Sequence, residues 1–290
     1  MDRPLYPFTA VVGQERAKQA LLCLAVEPRI GGVLLCGEKG TAKSTLVRAL
    51  GGLDGVRLLE LPVSATEDML LGGVELEAAV RTGCRTFQPG LLARADGAVL
   101  YADEVNLLPS ALTAALLDTL ETGVCRVERD GISHTCPARF ALVGTMNPEE
   151  GTLRPQLLDR FGLYVAVTGE REPEARKEVV RRRLAFEENP AAFCARWAPE
   201  QEALRRRIGS AQALLPQVSL PEPLFDTVAR VCTALQVDGH RADITMLKTA
   251  RALAALEGRT EAGMEELRRA AELALPHRLR RAPFEQAGDA

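Results

Sequence analysis

The sequence predicts an α/β protein, a parallel sheet covered by helices on both faces, followed by helices alone. Three observations carry this. Short apolar runs recur between longer stretches of helical spacing: GVLLC (32–36), VRLLEL (56–61), AVLYA (98–102), FALVGT (140–145) and LYVAV (163–167). These runs are mostly non-alternating, as expected of strands buried on both faces. Beyond residue 168 such strand-like runs give way to amphipathic helical patterns, so sheet and late helices are successive parts of the chain.

The first run leads into GEKGTAKST (37–45), followed by the helical pattern STLVRALGGL. Strand, loop, helix is the setting of a phosphate-binding loop of form G-x-x-x-x-G-K-[ST]. Gly37, Lys43 and Ser44 fit, Glu38, Lys39, Gly40, Thr41 and Thr45 complete the loop, and Ala42 stands where the pattern has glycine. Backbone N–H groups in the loop and at the helix N-terminus would cradle a β-phosphate. Lys43 would bridge the β- and γ-phosphates and the Ser44 hydroxyl would ligate Mg²⁺. Alanine at 42 is tolerated if the backbone there is already near helical. The expected ligands are therefore ATP and Mg²⁺.

The run AVLYA ends in Asp103 and Glu104. Two carboxylates at the end of a buried strand are costly unless they meet a cation or polarise a water. Asp103 is expected to hold the Mg²⁺ shell, and Glu104 to act as general base on the attacking water. The bland alternative is an N-cap pair for the helix PSALTAALLDTLETG. FALVGT runs into Met146 and Asn147, whose amide would orient the water or else make a simple Asx turn. In LRPQLLDRFG, Arg160 lies between a helical stretch and LYVAV. It reads either as an arginine finger for a neighbouring subunit or as the partner of Asp159 or another acid.

The later helices include EREPEARKEVVRRRLAFEENP, PEQEALRRRIGSAQALLP, PEPLFDTVARVCTALQV, ADITMLKTARALAALEG and TEAGMEELRRAAELALPHRLRR. They divide into a connector over 169–218 and a small all-helical domain over 219–290, after an α/β domain over 1–168. Arg241 begins the middle helix of that last domain and is a candidate sensor of nucleotide state.

Composition narrows the functions. The 290 residues are 47% hydrophobic and 26% charged with a formal net charge of −3. No global field attracts nucleic acid or anionic membrane, and acidic residues interleave with the arginine runs at 181–183 and 205–207. No run approaches the length of a membrane span, and the N-terminus lacks signal-peptide architecture, so a cytoplasmic protein is expected. The seven cysteines form no C-x-x-C pair and the three histidines lie far apart, arguing against a zinc or redox motif. Cys125 and Cys136 would face each other across a hairpin as half-buried thiols.

Together these motifs resemble the AAA+ ATPases, and within them the motor subunit of magnesium and cobalt chelatases. The most specific stretches are FTAVVGQERAKQAL, GEKGTAKST, FQPGLLARADGAVLYADEVNLL, VERDGISHTCPARFALVGTMNPEEGTLRPQLLDRFGL and the tail PHRLRRAPFE. The related MoxR branch commonly places alanine before the loop lysine. The resemblance implies that Val12 and Gly13 border the adenine, that Asn147 is sensor 1, Arg160 a finger acting in trans and Arg241 sensor 2, and that Arg154 faces the subunit interface. It implies two hairpin insertions, over 73–90 and 124–140, the second turning at Asp130 and Gly131.

It further implies a homo-oligomeric ring, expected to be a hexamer. The partners would be a chelatase subunit with an integrin-like metal-binding domain, a large tetrapyrrole-binding subunit, or both. Photosynthetic magnesium-chelatase motors usually carry a longer stretch before the region matching VSATEDML, which keeps cobalt insertion open beside magnesium. A MoxR-like chaperone ATPase, remodelling a protein or helping load its metal, is the alternative. A DNA motor is disfavoured: Arg126, Arg129 and Arg139 are nearly balanced by Glu128 and Asp130, whereas a DNA-tracking hairpin should be basic.

Overall fold

The computed structural model describes residues 4–53, 55–74, 87–129 and 132–279. The middle of the first expected hairpin (75–86), the turn at 130–131 of the second and the tail from 280 lie outside these.

Helix α1 (Glu15–Val26) leads into strand β1 (Gly32–Cys36), and α2 (Lys43–Gly51) follows the phosphate loop. Strand β2 (Leu58–Leu61) comes next, then the antiparallel pair β3 (Gly72–Val74) and β4 (Phe87–Pro89). Strand β5 (Val99–Ala102) precedes α3 (Ser110–Thr122), the hairpin β6 (Val124–Arg129) and β7 (Ile132–Pro137), and then β8 (Ala141–Met146) and β9 (Leu163–Ala166). Cys125 and Cys136 are direct cross-strand partners, Cys125 fully buried and Cys136 partly so.

The main sheet runs β2-β5-β8-β1-β9, every pair parallel. Its central strands are buried along their whole length, and the packing explains the missing alternation. Val33 and Leu35 of β1 join one apolar cluster with α1 and α2, while Leu34 and Cys36 join another with α3 and the hairpin residues Cys125 and Val127. Each face has its own helical cover, so neither set of positions can be polar.

The chain continues through α4 (Pro173–Glu188) and α5 (Pro190–Leu214) to α6 (Glu222–Ala234), α7 (Arg241–Leu256) and α8 (Met264–Ala274). Pro199, read above as opening a helix, lies inside α5. The helix as a whole buries Phe193, Ile208 and Ala211, and that packing outweighs the local penalty of an interior proline, about 3 kcal/mol. The buried residues of α6, α7 and α8 are continuous with those of α1 and β9.

Candidate active site

In a parallel sheet, ligands bind beyond the carboxyl ends of the strands, where strand order changes direction. Here β1 lies between β8 and β9, and a cavity of about 410 Å³ opens at that end. The loop residues Lys39–Thr45 line it with Asp103, Glu104 and Asn147. Gly37 and Glu38 are not among its lining residues; they contribute backbone carbonyls at its root. The Gly37 N–H donates to the Met146 carbonyl at 3.1 Å, pinning the loop to β8. A Cβ on Gly37 would lie 2.0 Å from the Val167 carbonyl oxygen, so close approach requires glycine.

Helix α2 starts at Lys43, so its first N–H groups have no intrahelical acceptor and point at the cavity end. The Lys43 ammonium donates to the Gly37 and Glu38 carbonyls, both at 2.6 Å, and to the Thr41 hydroxyl at 3.3 Å. Burial holds its pKa below the usual lysine value, against the opposing pull of Asp103, Glu104 and other groups.

Ala42 has φ 64° and ψ 16°, in the left-handed region. The near-helical backbone on which tolerance of alanine would depend is not what the chain adopts. The loop must turn sharply between Gly40 and the helix, and Ala42 carries a conformation that costs an L-residue about 1–2 kcal/mol.

The Ser44 hydroxyl donates to Asp103 Oδ1 at 3.0 Å, and the Thr145 hydroxyl donates to the same oxygen. Arg48 donates to Asp103 Oδ2 at 3.2 Å while pairing with Glu60 and lying over the Tyr101 ring. Burial would raise the Asp103 pKa. Hydrogen bonds from Thr145, Tyr101 and Ser44, with the Arg48 charge, overcome that and hold it below the usual carboxylate value. Glu104 adopts φ 50° and ψ 51°, and its N–H donates to Thr145 Oγ1 at 3.2 Å. Strain of this kind persists where the surroundings over-determine it. Asn147 is 5% exposed, and its Oδ1 accepts from the Glu149 N–H at 3.2 Å, so the Asx turn is present in a residue that also lines the cavity.

Val12 lines the cavity beside Tyr6 and Val11, whereas Gly13 does not and packs instead against the Glu170 carboxylate. Val179 and Arg183 of α4 close the same side. Sequence reasoning missed Tyr6, Arg48, Thr145, Val179 and Arg183; of these, only the threonine ending the run FALVGT carried a local signal.

Arg160 and Arg241 are brought together, but not here. Both line a second cavity, of about 880 Å³, at the amino ends of the strands near Gly31, Ala98, Ala141 and Gly162. Arg160 pairs with Glu121 at 2.8 Å. Arg241 donates to the Asp159 carbonyl at 3.1 Å and pairs with the Asp159 carboxylate. Arg241 is therefore not placed to sense nucleotide in its own chain's cavity: α7 docks under the opposite end of the sheet. Among the described residues, Arg29, Arg139, Arg160, Arg241 and Lys248 line this second cavity with Asp159 and Asp238, and three of these cations are held by carboxylates: Arg29 by Glu27, Arg160 by Glu121 and Arg241 by Asp159. Arg154 is exposed and lines neither cavity.

Residues 32–161 match the AAA domain (dynein-related subfamily), and residues 226–290 match the AAA lid domain. The chain is 52% identical over 290 residues to the uncharacterized protein Rv2850c of Mycobacterium tuberculosis, covering 98% of this chain but 46% of that one. Thus the chain spans about half the length of that relative. It is 44% identical to the magnesium-chelatase subunit ChlI homolog of Methanocaldococcus jannaschii, covering 97% of this chain and 87% of that one. It is 46% identical to the magnesium-chelatase 38 kDa subunit of Rhodobacter capsulatus, covering 99% and 91%. These two alignments run over 318 and 319 positions against 290 residues here, so both relatives carry segments this chain lacks. A solved structure of the complex between subunits BchI and BchD of magnesium chelatase matches with a TM-score of 0.52 at 44% identity, covering 97% of this chain and 98% of that one. The chain is an AAA+ ATPase and belongs to the family of the magnesium-chelatase I subunits.

Proposed function

We propose that this chain is the ATP-hydrolysing motor of a metal chelatase, driving insertion of Mg²⁺ or Co²⁺ into a tetrapyrrole held by a partner subunit. The observation that carries the reading is the oxygen cluster at the strand ends: Ser44 and Thr145 converge on Asp103 beside Lys43 and Glu104. It is joined to a chain whose relatives are named as chelatase subunits.

Ser44 and Asp103 offer hard oxygen donors 3.0 Å apart, which fit Mg²⁺ and would hold it. When bound, Mg²⁺ would supply neutralisation of phosphate charge. Lys43 exchanges its loop carbonyls for phosphate oxygens. Glu104, held outward by its left-handed backbone, takes the proton of the attacking water. Asn147 positions that water. Tyr6, Val11 and Val12 meet the base of the nucleotide.

Arg160 and Arg241 lie at the other end of the sheet and act on the nucleotide of a neighbouring copy, in a ring that the reading takes as a cytoplasmic hexamer. Their gathering at one cavity supports this: each arginine would exchange its own carboxylate, Glu121 or Asp159, for phosphate oxygens of the next subunit. Changes in the angle between core and lid would drive the partner.

Glu104→Gln tests the reading. ATP binding should be retained while hydrolysis falls by about 10²-fold or more. With saturating Mg·ATP the tagged variant should retain from cell lysate a large chelatase subunit, or a companion with an integrin-like domain, with tetrapyrrole bound. The tetrapyrrole recovered separates magnesium from cobalt. Recovery of only an unrelated metalloenzyme or membrane complex would replace the reading with a MoxR-like remodelling ATPase.

A further inference from the structure

The segment that carries Arg160 is gripped by the last helices of the chain. Besides the Arg241 contacts to Asp159, two residues just beyond α8 reach its backbone. Arg278 donates through Nη2 to the Phe161 carbonyl and through Nη1 to the Gly162 carbonyl, both at 2.9 Å. His277 Nε2 lies 2.9 Å from the same Phe161 oxygen. A carbonyl can only accept, so Nε2 carries the proton. The His277 ring stacks on Tyr164 of β9 with centroids 5.8 Å apart. On the opposite side the segment is pressed against the turn before β1: a Cβ on Gly162 would lie 2.1 Å from the Ile30 carbonyl oxygen.

The choice of residue at 278 is unusual for a staple. Its Nε is buried without a hydrogen-bond partner, and among the described residues the partners of its Nη atoms are the carbonyls of Phe161, Gly162 and Ala274. Burying a cation without a carboxylate partner is costly, and an apolar side chain would tie two helical layers together at less expense. What the fork supplies is direction. Two nearly parallel N–H groups fix the Phe161 and Gly162 carbonyls, and with them the peptide planes following Arg160.

We infer that His277 and Arg278 are positioning residues for Arg160, transmitting the attitude of the lid to the arginine offered to the neighbouring subunit. This rests on the reading that Arg160 acts in trans. The donor of the finger then has control over hydrolysis next door: when its lid shifts, the peptide after Arg160 shifts with it.

Mixed rings of full-length chains test this. Arg160→Ala chains keep a complete nucleotide cavity but lack the finger; Glu104→Gln chains keep the finger but cannot hydrolyse. Turnover in the mixture therefore reports Arg160 of the second acting on ATP held by the first. Adding Arg278→Ala to the Glu104→Gln chain should reduce that turnover by about tenfold or more, while adding it to the Arg160→Ala chain should change it by less than about twofold, since a displacement near 1 Å can cost even more than tenfold. Equal losses in both arms would mean that the clamp only supports the fold, and no loss in either would mean that it does not position Arg160; both overturn the inference. Absence of turnover in the unsubstituted mixture would instead sink action in trans, and the inference with it. If Arg278→Ala chains do not assemble, Arg278→Lys keeps the cation and removes the fork, and the same asymmetry is expected at smaller amplitude.

Discussion

The two ends of the sheet gather different chemistry. At the carboxyl ends, the groups that would meet phosphate and metal already have partners within the chain: Lys43 on loop carbonyls, Ser44 and Thr145 on Asp103. At the amino ends, Arg29, Arg160 and Arg241 gather around a larger cavity, each held by a carboxylate, Glu27, Glu121 and Asp159 in turn. Under the proposed function, the first end holds the nucleotide of its own copy and the second offers its arginines to the nucleotide of a neighbour.

The largest expected effect breaks the second end. Arg160→Ala should lower hydrolysis by about 10³-fold, the scale of a lost arginine finger, and an excess of Glu104→Gln chains should partly restore it in steady-state assays. A loss below tenfold would remove this face from catalysis.

Acid should weaken the two ends in different windows. Burial, aided by the Arg278 charge, lowers the His277 pKa from 6.5 to about 4. Below pH 6.5 the unfolded chain gains a proton that the folded chain refuses, so stability is lost as pH falls from 6.5 towards 4. The loss approaches about 3 kcal/mol at the low end. His277→Gln keeps an N–H donor and cannot titrate, so its Tm should be flatter over that window; an unchanged pH profile would show that His277 is not buried as a neutral ring. Asp103, whose pKa is also depressed, adds a loss only at lower pH, where the unfolded carboxylate takes up its proton.

The smallest effect sharpens the first end. Ala42→Gly removes a left-handed alanine, and the gain is offset in part by the greater freedom of glycine in the unfolded chain. A net stabilisation of about 0.5–1 kcal/mol is expected by chemical denaturation. Destabilisation would mean that the left-handed turn at 42 is not what the folded loop maintains.

Much of this architecture was legible because its signals are local. Strands buried on both faces leave runs such as GVLLC, and a phosphate loop and paired carboxylates at strand ends mark themselves by position. The remainder depends on pairing and docking. Thr145 reaches Asp103 only because β5 and β8 are neighbours in a register that pairs Ala102 with Gly144, and a hydroxyl in an apolar run carries no label for that. Arg241 opens its helix as expected, but no spacing shows under which end of the sheet the helix will dock. The left-handed turn at Ala42 was not legible for a related reason: a backbone angle is set by where the loop must go, and alanine gives little warning of it.

The phosphate loop holds two glycines of different kinds. At Gly40 the backbone has φ 82° and nothing stands within 4 Å of a would-be Cβ; the demand is for the sign of a torsion angle, which asparagine can also meet. At Gly37 the demand is for the absence of an atom, because the Val167 carbonyl just beyond β9 lies too close. In evolutionary terms the first position has a narrow exit and the second has none, so drift through this loop is freer at its tip than where it leaves the sheet.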